Sequence, residues 1–249
     1  MHPERSPAAR PKRVLEPRAP NRATETRSTV TIRVVPVRVP EHPNLRIFDH
    51  PLIQQKLTRA RDRRTSSAVF RQLLNEIAGL MTFEACRSFE TRAVEVETPL
   101  ERTMGLELAQ PITLAPILRA GIGMTEGILS LVPEARVGFI GIYRDEASLE
   151  PVDYYSKFPP DIAAGPVILV DPMLATGGSA VHAVSRLKDH GCRHIQMICL
   201  VAAPPGVTRM AEVHPDVCVH AAALDRELDD RAYILPGLGD AGDRIFGTM

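Results

Sequence analysis

Nine consecutive residues, Asp171-Pro172-Met173-Leu174-Ala175-Thr176-Gly177-Gly178-Ser179, carry the sharpest chemical signal in the chain. An acid closes an apolar run, and five residues later a hydroxyl and two glycines lead into a helical pattern. Adjacent glycines let backbone N–H groups turn toward an anion. The helix start adds positive partial charge, and Thr176 and Ser179 add hydroxyl donors. This set suits a phosphate monoester. The loop holds no lysine and lacks both the ATP-binding P-loop spacing and the dinucleotide glycine pattern. Two arginines stand at comparable places, Arg119 after residues 112–118 and Arg144 after residues 137–143. A guanidinium there can grip a diphosphate through two parallel bonds. Near the C-terminus, residues 233–243 (YILPGLGDAGD) form a glycine-rich run around Asp240, too rich in glycine for a helix or a central strand and expected to be a loop with turns.

Elements of a definite kind must hold these groups. Residues 112–118, 137–143, 166–171, 195–201 and 217–222 read as strands, several of them continuous apolar runs. Such runs suit strands covered on both faces of a parallel sheet. From residue 66 a helical pattern begins, with Phe70, Leu73, Leu74, Ile77, Leu80 and Met81 at three- and four-residue steps and Ser66 or Ser67 as cap. Residues 178–190 form another helix, closed by Gly191. Strands alternating with helices predict an α/β fold, a mostly parallel twisted sheet flanked by helices. Ligands of such sheets bind beyond the carboxyl ends of the strands, where the acid and both arginines are expected.

The 249 residues balance 30 basic against 30 acidic side chains, but residues 1–40 hold nine Lys/Arg, three Glu and seven of the 22 prolines. That segment cannot bury enough apolar surface to offset its ordering entropy. It is expected to be a disordered basic extension, with residues 29–39 more extended and suited to a sheet edge. Residues 41–249 are expected to be one catalytic domain. The extension has no apolar core of a secretory signal, and its acids and prolines count against an organelle address. No aromatic-rich RNA-binding pattern accompanies its arginines, so nucleic acid is not an expected partner. No run approaches the roughly 20 apolar residues of a membrane-spanning helix. Cys86, Cys192, Cys199 and Cys218 form no paired motif, which points to a reducing, cytoplasmic setting. His190, Cys192 and His194 straddle a helix end and do not supply the converging ligands of a zinc site.

The loop at 171–179 resembles that of the type I phosphoribosyltransferases, which use phosphoribosyl pyrophosphate (PRPP). With Asp171-Pro172 in place of two acids it resembles uracil phosphoribosyltransferases in particular. So do HPLI at 50–53, PILRAGIGM at 116–124, YRDE at 143–146, EPVDYYSKFP at 150–159, LVAAPPG at 200–206 and YILPGLGDAGDRIFGT at 233–248. The resemblance implies transfer of the phosphoribosyl group of PRPP to uracil, giving UMP and pyrophosphate. It implies PRPP contacts by Arg119, Arg144, residues Asp171 to Ser179 and Asp240. Uracil contacts fall to Ile234, Gly239, Asp240 and Ala241 in a glycine-rich C-terminal base-binding loop. Asp240, Arg144 and Asp171 are the implied catalytic residues. Residues 145–158, with Asp145, Glu146, Glu150, Tyr154, Tyr155 and Lys157, read as an exposed hairpin or as a lid. The family also implies Mg²⁺ with PRPP, GTP as a candidate effector and a homo-oligomer; Pro172 argues against a direct metal site, and no ligand is assigned. Two other readings stay open, a phosphoribosyltransferase for another base and a PRPP- or nucleotide-sensing regulator.

Overall fold

The computed structural model describes residues 37–144 and 151–248. The expected extension, apart from its last four residues, lies outside them, as do Asp145, Glu146 and Glu150. In chain order the elements are β1 (Val37–Val39), β2 (His42–Ile47), α1 (Pro51–Arg61), α2 (Ser67–Ala85), β3 (Thr91–Glu97), β4 (Arg102–Leu108), β5 (Thr113–Leu118) and α3 (Ile122–Leu129). Then come β6 (Arg136–Val137), β7 (Phe139–Arg144), β8 (Pro151–Lys157), β9 (Val167–Val170), β10 (Met173–Leu174), α4 (Gly178–Asp189) and β11 (Ile195–Ala202). The last are α5 (Pro204–Val213), β12 (Cys218–Leu224), β13 (Glu227–Leu228), β14 (Ile234–Leu235) and α6 (Ala241–Phe246).

The main sheet runs β1-β2-β12-β11-β9-β5-β7-β8, with β6 beside β5 and β10 beside β11. Pairing is parallel from β2 to β7 and antiparallel at the two edges, β1–β2 and β7–β8. The expected strands appear, with one correction: residues 137–143 are not continuous. They break at Gly138, where the Phe158 ring packs so close that a Cβ would meet it at 2.8 Å. Val37–Val39 form an edge strand within the stretch read as extended.

Alternate strand residues feed two cores. Ile168, Val170, Ile198 and Leu200 face α1, α2, α3 and α6, among Phe70, Leu74, Ile77, Met124, Ile128 and Ile245. Val167, Leu169, Met197 and Cys199 face α4 and α5, among Val184, Leu187, Val207 and Met210. Both faces of β9 and β11 are thus covered, which explains the wholly apolar β9 and the apolar run of β11 from Met197 to Ala202. Ser66 occupies the N-cap of α2, but its side chain makes no capping bond. The β3–β4 hairpin stands apart from the main sheet and exposes Met104 and Leu106.

Candidate active site

The strand order decides where a ligand can sit. From β5 the chain moves outward to β7, then returns to lay β9 on the other side of β5 and continues to β11 and β12. The reversal opens a crevice at the carboxyl ends of β5 and β9, the place where open α/β sheets bind ligands. Arg119 follows β5 directly and Asp171 follows β9 directly. The Leu118–Arg119 peptide is cis.

Beyond Asp171 the loop stays tied to the sheet. Leu200 N–H donates to Pro172 O at 2.9 Å, Ala203 N–H donates to Leu174 O at 2.9 Å, and β10 pairs with the end of β11. The chain then turns at Gly177, whose φ of 80° is left-handed, and enters α4 at Gly178. A Cβ at Gly177 would also lie 3.0 Å from Gly206 O. Gly178 differs: it needs no positive φ, and a Cβ there would meet only the Arg209 guanidinium at 3.4 Å and the Thr176 hydroxyl at 3.8 Å. Its missing side chain leaves room for a ligand rather than for neighbouring backbone. Pro172, Leu174 and Gly177 are buried, Met173, Ala175 and Thr176 half-buried, and Ser179 exposed.

The C-terminal run brings its residues to the same crevice. The expectation of a loop throughout is corrected at two places. Ile234 and Leu235 form the short strand β14 against β13, and the run ends in α6. The helix starts because Asp240 caps it, its Oδ1 accepting from Asp243 N–H at 2.9 Å. Arg119 reaches over this helix, 3.5 Å from the Asp243 carboxylate and 5.7 Å from the centre of the Phe246 ring. Burial lifts the pKa of Asp171 to about 7, the Met173 N–H opposes that rise, and the nearby Asp240 carboxylate adds to it. Two carboxylates, a guanidinium and the loop that turns at Gly177 therefore share one crevice.

Residues 47–248 match the family described as uracil phosphoribosyltransferase. The chain belongs to the uracil phosphoribosyltransferase family. A uracil phosphoribosyltransferase from Staphylococcus epidermidis is 55% identical over 203 residues, covering 81% of this chain and 97% of that protein. One from Finegoldia magna is 54% identical with the same coverage. The solved structure of the AQ2163 protein from Aquifex aeolicus superposes with a TM-score of 0.78 at 37% identity, over 81% of this chain and 97% of that one.

Within this uracil phosphoribosyltransferase fold, Arg119, Asp171 and Asp240 lie in one crevice, with the loop to Ser179 following Asp171 and residues 239–241 leading into α6. Arg144 ends β7, and its side chain lies outside the described residues. Tyr154, Tyr155 and Lys157 lie on β8, in the arm of a hairpin, with both tyrosines exposed. Ile234 is a core residue, so only its backbone is free to meet a ligand.

Sequence reasoning missed three supports. Arg209 lies on α5, which starts at the carboxyl edge of β11, and its exposed guanidinium stands beside Gly178. Arg244 is buried and donates to Ala60 O at 2.6 Å, Leu238 O at 2.7 Å and Asp62 O at 2.9 Å, pinning α6 to the end of α1. Arg61 and Asp225 pair with each other and with Gly237. The sequence offered only weak signals for them, an arginine after a helix start and an aspartate after a strand.

Proposed function

We propose that this chain transfers the phosphoribosyl group of PRPP to N1 of uracil, releasing UMP and pyrophosphate in pyrimidine salvage, with each loop of the crevice holding one part of the substrates. The carrying observation is that Arg119, Asp171 and Asp240 converge at the switch point of the sheet, inside the region that matches the family. The 5′-phosphate takes the N–H groups and hydroxyls of residues 175–179 at the start of α4. Asp171 accepts from the ribose hydroxyls. Arg119 and Arg144 hold the pyrophosphate, whose charge grows as the bond to the anomeric carbon breaks. Uracil lies along the backbone of Ile234 and Gly239 to Ala241, whose N–H and C=O groups match its acceptor–donor–acceptor edge. Asp240 orients the base or receives its proton. Cytosine offers an amine donor and no N3–H, so it leaves buried polar groups mispaired.

Magnesium fits as a partner of the substrate. Asp171 and Asp240 supply carboxylate oxygens beside the pyrophosphate position, while Pro172 removes the second adjacent acid of a protein-held site. When bound, the ion neutralises phosphate charge. The β7–β8 hairpin acts as the lid that keeps water from the electron-poor ribosyl carbon.

A homo-oligomer is part of this reading. The β3–β4 hairpin leaves Met104 64% and Leu106 74% exposed, and a hairpin without a sheet is marginal in water. Light scattering tests it. GTP as an effector is tested by adding it to the same assay. The cytoplasmic assignment is supported by four free cysteines. The deciding experiment is UMP formation from uracil, PRPP and Mg²⁺, compared with other bases. Turnover of another base in preference to uracil would overturn the assignment.

A further inference from the structure

The base loop is held by a device outside the crevice. Asp225, directly after β12, is 7% exposed. Its carboxylate accepts from both terminal nitrogens of Arg61, Nη2 to Oδ1 at 2.6 Å and Nη1 to Oδ2 at 2.7 Å. The same two side chains close on one residue of the loop. Asp225 Oδ2 accepts from Gly237 N–H at 2.9 Å, and Arg61 Nη1 donates to Gly237 O at 2.6 Å. Asp225 is itself fixed to the sheet, its N–H donating to Ala202 O at 2.8 Å.

Gly237 sits between Ile234 and Gly239. Its φ is 59°, and a Cβ there would run into the Ile234 carbonyl. Holding both its N–H and its C=O prevents rotation of the two peptide planes that flank it. Those planes set the direction of the backbone on either side.

An ion pair between Arg61 and Asp225 alone would be a weak explanation for a buried carboxylate and a partly buried guanidinium, because apolar residues of similar size often stabilise as well. What apolar residues cannot do is fix a loop residue through both its donor and its acceptor. We propose that Arg61 and Asp225 are positioning residues for base selection. They aim the backbone of Ile234 and Gly239 to Ala241 at the pyrimidine edge without touching it. The proposal rests on the reading of this loop as the uracil site. A backbone-defined pocket selects by alignment, and a displacement of about 1 Å can cost on the order of a hundredfold in rate.

The test uses the full chain with Arg61→Lys, which keeps the charge and loses the fork, and Asp225→Asn, which keeps the shape and loses the charge. KM for uracil and for PRPP, and the ratio of kcat/KM for uracil over cytosine, are measured beside circular dichroism. We expect KM for uracil to rise at least tenfold, KM for PRPP to stay within twofold, and the uracil preference to fall at least tenfold. Equal shifts in both KM values, unchanged selectivity, or failure of both variants to fold would reduce the pair to a structural one and overturn the proposal. A wild-type chain that makes no UMP overturns the substrate reading and this proposal together; an active wild type with unselective effects in the variants overturns this proposal alone.

Discussion

Gly177 and Gly178, the neighbouring glycines of the proposed phosphate loop, differ in their surroundings, and substitution separates them. Gly177 is set by its own backbone, so Gly177→Ala should destabilise the fold by about 1–2 kcal/mol, read as a lower denaturant midpoint. A Cβ at Gly178 would meet only side-chain atoms at ordinary contact distance, so Gly178→Val should fold. It should lose PRPP binding by calorimetry, because the side chain takes the place of the anion and displaces N–H donors worth roughly 1.5–3 kcal/mol each. Wild-type PRPP affinity in that variant would make the loop a structural turn. Beside it, Arg209→Gln should raise KM for PRPP about tenfold with kcat little changed, the mark of a contact present before and during transfer. An unchanged KM would leave Arg209 a solvated cation.

Asp171 adds a pH dependence whose sign is fixed. Its folded pKa of about 7 lies above its ordinary value of 3.8. Between those values the folded chain holds a proton that the unfolded chain has released, so this group favours folding less as pH rises through the window. Asp171→Asn should therefore raise Tm relative to wild type at pH 8 and leave it unchanged near pH 4. In the wild-type chain, PRPP affinity should fall as pH drops below 7, where the carboxylate that accepts from ribose is lost. The Asp171→Asn variant should lack that slope; a Tm difference equal at both pH values would mean that Asp171 ionises freely.

Among the elements, α4 joins the phosphate loop to the proposed lid. Asp153 on β8 lies 2.9 Å from His182 Nε2 and 2.8 Å from Arg186 Nε, both on α4. Asp153→Ala should free the hairpin from the helix and increase hydrolysis of PRPP without base several-fold, measured as pyrophosphate released in the absence of uracil. An unchanged ratio of hydrolysis to transfer would separate β8 from water exclusion. The same elements show what the sequence made legible. Strands β5, β9, β11 and β12 declared themselves because burial on both faces leaves mostly apolar residues, with Thr113, Gln196 and His220 the polar ones. Helix α6 did not, since three glycines between 237 and 242 outweigh a cap whose acid looked like a ligand. Local pattern also could not reveal the Arg61–Asp225 contact, because it joins residues 164 positions apart. The loop at 171–179 was legible as a strand end, a turn and a helix start; its relation to Asp240 required the fold.

At the scale of the molecule, the edge of the sheet tells how much of the N-terminal segment catalysis needs. Val37 pairs with Ile47 and Val39 with His42. Removing residues 1–36 should leave UMP formation within twofold and Tm unchanged. Removing residues 1–40 deletes β1 as well. Cross-strand pairs contribute roughly 0.2–1 kcal/mol each, so Tm should drop by a few degrees while activity persists. A large loss of activity from the shorter deletion would show that the segment takes part in the site.

The bonds at Gly237 bear also on the timing of motion. Loops ordinarily exchange their amide hydrogens quickly, because local opening exposes them at little cost. This amide has the buried Asp225 carboxylate as its acceptor, and its carbonyl is held by the Arg61 guanidinium, so it can exchange only when the carboxylate releases it. Hydrogen exchange should find a slow amide at Gly237, with kinetics closer to those of the sheet than to those of Asp229 to Ala232. Such a loop has already lost its disorder before uracil arrives, and little further backbone entropy is surrendered on binding. Calorimetric titration should then show a smaller entropic penalty for uracil than for PRPP, whose proposed site takes the β7–β8 hairpin as its lid.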